Sequence, residues 1–349
     1  MKKERVLYLD LIRIICFLMV TAFHFSDTAK AYAINADVEL YQGIVRIVWG
    51  PIAVSCFFMV SGASLIYRYG QEEFSLKEFY KKRFFGLYPL FWLAYLFAFL
   101  DFFYRAKSMP TAPKINFLLS VIAMDGYFSD WIPTFYLIGE WFLGVIVVLY
   151  LLFPLYRVVM RKCKYVLPAV FFIASVVLLY YNPFPIVIEK NPIMCSMYFT
   201  LGMMLEMLRE NKNQHAARIG RRIGAAIGTV LIIAIYIVER NFYQFHSYPY
   251  HVIFVVSVSL YMIVMEVAEW IKSERIKGLI ITIGKHSYAY FLLHHVFLYK
   301  YMLNFAGATM DSSNTLLLFL SSVFYIYILA VILDKIYAML IGPFIYKRS

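Results

Sequence analysis

Apolar runs of helix length recur along the whole chain, at 6–26, 46–68, 84–104, 133–156, 165–181, 193–208, 223–238, 250–270, 284–303 and 314–342. Leu, Ile and Phe are mixed within them and apolar positions do not alternate with polar ones. The pattern therefore predicts helices rather than the strands of a barrel. Most runs match the roughly 20 residues that cross a hydrocarbon core, whereas the sixth and seventh sit near the lower bound of about 17. No soluble domain, low-complexity tract or internal repeat interrupts the series. The fold class expected is all-α: a polytopic membrane helical bundle of about ten transmembrane helices, forming one domain over residues 1–349.

Composition agrees, with 62% hydrophobic and 15% charged residues and a mean hydropathy of +0.70, more apolar surface than one soluble core could bury. The net charge of +12 would suit nucleic acid if it formed a stripe, but the basic residues segregate by loop. Of the 33 Lys and Arg, 22 fall on one set of alternate loops, including Lys77 to Arg83, Arg157 to Lys164 and Arg209 to Arg222, and 8 on the other. The positive-inside rule makes the basic side cytoplasmic, with both termini there. A multi-pass protein of the plasma (inner) membrane is expected, with membrane lipid and not nucleic acid as its surroundings.

The first run carries the chemistry. Asp10, Arg13 and His24 lie within it, and eleven residues at 3.6 per turn return Arg13 and His24 to nearly the same helix face, about 16 Å apart along the axis. Ionisable groups at membrane depth cost several kcal/mol unless paired or facing a polar cavity, so such a stripe marks a functional site. Asp10 is the i,i+3 neighbour of Arg13 and its natural ion-pair partner; at about 21 Å from His24 it is too far to orient that ring. Lys2 and Lys3 ahead of the run, with Ala29-Lys30-Ala31 after it, imitate a signal peptide, but Asp10 and Arg13 break its apolar region and the helix is expected to be retained. The four cysteines lie far apart, with no metal-binding spacing.

Before the third run, Ser75 and Glu78 form a capping-box pattern and Phe74 and Phe79 the positions of a hydrophobic staple, so a helix start is expected there. The basic face of this segment, Lys81, Lys82 and Arg83, suits either anionic lipid headgroups or the phosphates of a cytosolic cofactor.

Four motifs together resemble the acyltransferase 3 family of membrane acyltransferases. They are Leu9-Asp10-Leu11-Ile12-Arg13 with His24 in the first run, Phe57-Phe58-Met59-Val60-Ser61-Gly62 in the second, Lys82-Arg83-Phe84-Phe85-Gly86-Leu87-Tyr88-Pro89 leading into the third, and Gly284-Lys285-His286-Ser287-Tyr288-Ala289-Tyr290-Phe291-Leu292-Leu293-His294 late in the chain. Their order and spacing span nearly the whole sequence. Two positions depart from the family pattern: Gly86 stands where a second Arg is frequent, and Phe291 where Tyr is more usual.

The resemblance implies transfer of an acyl group, commonly acetyl, from cytosolic acyl-CoA to a hydroxyl of an extracytoplasmic glycan or other surface molecule, without a metal. A sugar hydroxyl is a poor nucleophile at neutral pH, and His, with an unperturbed pKa of about 6.5, is suited to take its proton. His24 is therefore assigned as general base, with an acyl-histidine intermediate as the rival mechanism. Arg13 binds a phosphate or polarises the thioester carbonyl, and Glu140, expected at the depth of His24, orients that imidazole or packs helices. Ser287 caps its helix or touches cofactor, and His294 is a second acid–base group or an interhelical donor. Ser61 reads as a small-residue helix contact. Tyr127, Phe128, Trp131 and Tyr136, beside Asp125 and Asp130, read as an interfacial aromatic belt or a sugar-stacking surface. From another class, a transporter or flippase could use Asp10, Arg13, His24 and Glu140 as a substrate or proton path.

Overall fold

The computed structural model describes residues 5–44, 47–70, 73–108, 111–210, 213–242 and 250–340, the side chains of Glu140 and Phe242 excepted. Among these residues eleven helices of twelve residues or more follow one another: α1 Leu7–Ala31, α2 Trp49–Tyr69, α3 Leu76–Ala106, α4 Glu140–Lys162, α5 Val166–Tyr180, α6 Pro192–Arg209, α7 Gln214–Phe242, α8 Tyr250–Trp270, α9 Glu274–Lys285, α10 Ser287–Leu303 and α11 Ser312–Leu340. Two-residue strands, β1 Gly43–Ile44 and β2 Ile47–Val48, pair antiparallel between α1 and α2. Every apolar run is met by a helix, and α9 is an addition. By length and composition seven helices among the described residues can cross a membrane: α1 to α4, α7, α8 and α11. At 15 residues α5 is short of a full crossing.

Local sequence explains several boundaries. Glu78 N–H donates to Ser75 Oγ (3.4 Å) at the start of α3, and the Phe74 and Phe79 rings meet at 5.3 Å, so cap and staple both form. The helix then runs unbroken to Ala106, through Pro89. α4 begins seven residues later than its apolar run: residues 133–139 are not helical, and Gly139 takes φ +94°, a conformation that favours glycine. α7 begins earlier than its run, so Arg218, Arg221 and Arg222 lie on the helix rather than in a loop.

α1 packs against α2, α8, α9 and α10. α2 and α6 approach until backbones touch: a Cβ on Gly62 would strike the Phe199 carbonyl, and one on Gly202 the Met59 carbonyl. Outside the core, Leu100, Leu155, Ile173, Val230, Leu317 and Phe324 are exposed, as a lipid-facing surface requires.

Buried charges tie the helix ends together. Glu206 pairs with Arg209 (2.6 Å) and accepts from Tyr8 Oη. Arg157 Nε donates to the Tyr69 carbonyl (2.6 Å), and Glu266 takes Arg221 (2.7 Å) and Arg222 (3.3 Å). These links collect the start of α1 and the ends of α2, α4, α6 and α8, the basic loops of the sequence. At the opposite end Asn35 N–H donates to the Ala308 carbonyl (2.8 Å), Lys190 pairs with Asp130, and Lys300 with Asp101.

Candidate active site

Two cavities lie along α1. The first, about 240 Å³, is lined by Arg13 of α1, Ser61 of α2, Arg83, Gly86 and Leu87 of α3, Tyr150 of α4, and Ser287 and Tyr288 of α10. The second, about 340 Å³, holds His24 of α1 and His294 of α10 with Phe23, Trp141, Glu189, Lys190, Cys195 and Tyr250. Both are bounded by Phe57, Phe142 and Phe291. The helical periodicity of α1 thus delivers Arg13 and His24 to separate, adjoining chambers.

In the first cavity, Arg13 Nη1 donates to Asp10 (2.8 Å) and Nη2 to Ser64 Oγ (2.8 Å). Asp10, wholly buried, also accepts Arg5 Nε (2.6 Å) and Nη2 (3.0 Å). Arg13 is thereby held rigidly while still facing the cavity. Gly284 abuts Asp10, where an added Cβ would lie 2.9 Å from the Asp10 Cβ, which gives the first glycine of the late motif a packing reason. The Arg83 guanidinium lies near the rings of Tyr69, Phe79 and Tyr150, at 5.8, 5.9 and 5.8 Å. Its buried Nε makes no hydrogen bond among the described residues. Gly86, one turn on, has open space where a side chain would project.

The basic triplet is divided by helix geometry. Arg83 faces the cavity, whereas Lys81 and Lys82 are exposed and line neither chamber. Ser287 opens α10 without a side-chain capping bond, and lines the first cavity. Ser61 faces that cavity too, while the α2–α6 contact falls to Gly62 beside it.

In the second cavity the imidazoles of His24 and His294 lie with ring centres 5.4 Å apart. His294, buried, is fixed by a 2.6 Å contact from Nδ1 to the Phe291 carbonyl. A carbonyl only accepts, so Nδ1 carries the proton and Nε2 is the basic nitrogen of the neutral ring. His295, which the sequence reading did not single out, stacks on His24 at 4.6 Å. The side chain of Glu140 lies outside the described residues; its backbone opens α4, and Trp141 and Phe142 beside it line the cavity.

Glu189 and Lys190 were also missed. They precede α6 in a segment between α5 and α6, and nothing in their local pattern signals a cavity. The structure brings them to the mouth of the second chamber, with Tyr250 Oη donating to Glu189 (2.8 Å). Of the expected aromatic surface, Tyr127, Phe128 and Trp131 pack on one another at 5.4 to 5.7 Å. None of these three, nor Tyr136, lines the chamber. Trp131 Nε1 donates to the Pro185 carbonyl (3.0 Å) and Asp130 holds Lys190, so this cluster props the segment carrying Glu189. Beside it, burial pushes the Asp125 carboxyl up to about 6, although Gly126 N–H (2.9 Å) opposes the rise.

Two further acids are paired: Asp334 with His286 (2.5 Å), and Glu266 with Arg221 and Arg222. No cluster of three His, Cys, Asp or Glu suited to a metal occurs among the described residues. Comparison with curated proteins gives no match, and none of the solved structures matches. A family model described as an acyltransferase domain, that of the acyltransferase 3 family, covers residues 6–335. With that match across nearly its whole length, the chain belongs to the acyltransferase 3 family and is a multi-pass membrane acyltransferase that transfers groups other than aminoacyl.

Proposed function

We propose that the protein is an O-acyltransferase of the plasma (inner) membrane, moving an acyl group, acetyl in the simplest case, from cytosolic acyl-CoA to a hydroxyl of an extracytoplasmic glycan or similar surface molecule. One observation carries the reading: a cation-bearing cavity and a histidine-bearing cavity meet end to end along α1. The basic loops gather at the Arg13 end, which the positive-inside rule assigns to the cytoplasm. Arg13 and Arg83 then take the phosphates of the donor, with Ser287 beside them and Lys81 and Lys82 steering the anion towards the cavity. The second chamber receives the acceptor. Trp141, Phe23 and Tyr250 offer ring faces to a sugar, and Glu189 and Lys190 offer hydrogen bonds to its hydroxyls.

In the transfer, the acceptor oxygen bonds to the thioester carbonyl carbon as His24 takes the hydroxyl proton. The tetrahedral oxyanion collapses, the C–S bond breaks, and the proton passes from the imidazolium to the departing thiolate. His294 stands beside His24 as the second acid–base group. Glu140, at the head of α4, is the carboxylate proposed to orient His24.

The test is radiolabelled acetyl-CoA supplied to the purified protein in liposomes with a hydroxyl-bearing glycan acceptor. Release of CoA with label in the acceptor is expected, and loss by about 10²–10⁴-fold in His24→Ala. Undiminished turnover in that variant removes His24 from the chemistry. No turnover at all, with uptake or flipping of a substrate instead, replaces the enzyme reading with a transporter. Mass spectrometry of surface glycans with and without the gene identifies the acceptor.

A further inference from the structure

Three phenylalanines are common to both cavities, and each comes from a different helix: Phe57 of α2, Phe142 of α4 and Phe291 of α10. Phe142 sits between the other two, its ring centre 5.8 Å from Phe57 and 5.4 Å from Phe291. Phe58 backs it at 4.7 Å. All three are half-buried, as rings must be that meet a void on either side. The partition lies between Arg13 and His24, about 16 Å apart on α1, so whatever joins the two chambers must pass it.

We infer that Phe57, Phe142 and Phe291 form a water-tight aromatic septum that parts only around the acyl-thioester arm of the donor. The inference rests on the acyl-CoA reading above. A phenyl rim offers water no hydrogen-bond partner, so a water file through it leaves donors and acceptors unmet. A thin arm carrying an acetyl thioester can displace the rings and be gripped by them. Two consequences follow. The two faces of the membrane are not joined by water when the donor is absent. When the thioester is in place, bulk water is kept from it: hydrolysis would need a water oxygen to bond to the carbonyl carbon, the C–S bond to break, and a water proton to end on the thiol. Phe291 is a positioning residue as well, because its carbonyl holds His294 Nδ1; a main-chain contact of this kind survives truncation of the ring.

The first test needs no acyl transfer. Ser61 lines only the Arg13 chamber, so Ser61→Cys, in a Cys163→Ser/Cys195→Ser background that removes the exposed native thiol and the one lining the second chamber, reports access to it. A charged, membrane-impermeant methanethiosulfonate is applied to either face of oriented proteoliposomes, with the Cys163→Ser/Cys195→Ser parent and its phenylalanine variants as blanks. Modification from one face alone is expected with the septum intact. Phe142→Ala and Phe291→Ala should each open it to the second face, raising that rate by about tenfold or more, while Phe142→Leu keeps it shut. Equal reaction from both faces with the septum intact overturns the inference, as does unchanged access in both alanine variants that keep the parent's thermal transition. The second test is release of thiol from acetyl-CoA without acceptor, expected to rise in the same variants. If access changes but no variant or parent turns over acyl-CoA, the septum stands and the acyltransferase donor reading fails.

Discussion

Replacing Asp10 with Ala should destabilise the Arg13 end of the bundle by about 3 kcal/mol. The carboxylate is wholly buried and accepts three guanidinium N–H groups. Charge-assisted bonds are worth about 1.5–3 kcal/mol apiece, but the three do not count equally. Arg5 is 43% exposed, so on losing Asp10 it turns to water, and its two bonds together contribute under about 1 kcal/mol. Arg13, 25% exposed, has Ser64 left; its lost bond and partly desolvated charge account for about 2 kcal/mol. Arg5→Ala should therefore cost less than about 1 kcal/mol, and adding it to Asp10→Ala should cost almost nothing more. The assay is equilibrium unfolding in mixed micelles, with apparent affinity for acyl-CoA measured in parallel, since Arg13 loses its anchor. An Asp10→Ala protein within about 0.5 kcal/mol of the parent would refute the claim that this carboxylate clamps Arg13.

Three further outcomes are expected. Gly202→Ala, which forces a Cβ against the Met59 carbonyl, should cost about 3 kcal/mol or prevent assembly, read as loss of a monodisperse peak in detergent; tolerance at both Gly202 and Gly62 would contradict the close helix approach. Arg83→Ala should raise KM for acyl-CoA at least about tenfold, whereas Lys81→Ala and Lys82→Ala should affect it mainly at low salt; equal effects would contradict the division of the triplet. Asp125 has a folded pKa raised to about 6, so its contribution is complete below the unfolded value near 3.9 and is lost as pH rises towards 6. The total is up to about 3 kcal/mol, and a thermal-melt difference between parent and Asp125→Asn that stays flat from pH 4 to 7 would count against it.

What could be read from the sequence was whatever repeats locally. Helix periodicity placed Arg13 and His24 towards one face of α1, where they line adjoining cavities, and the Ser75 cap and Phe74–Phe79 staple are contacts within a few residues. The late start of α4 was hidden because residues 133–139 are as apolar as a helix, and it takes the structure, non-helical throughout this stretch and with a positive φ at Gly139, to show that the chain is not yet helical. The meeting of His24 with His294 and His295 joins residues some 270 positions apart, and no local pattern encodes that distance. Lys81, Lys82 and Arg83 look equivalent in sequence because consecutive helical residues differ by about 100° in direction, and which of them turns inward is decided by α4 and α10. Glu189 and Lys190 owe their place to Asp130, Trp131 and Tyr250, on other segments.

The interlocked glycines of α2 and α6 make one wall of the two cavities stationary. Phe57, Ser61 and Ser64 ride on α2, which cannot slide or roll without driving backbone into backbone. Any widening that lets a substrate through must therefore come from the facing side. There α4 takes up its coil only at Glu140, after seven non-helical residues, and is the natural hinge leaf against a fixed jamb.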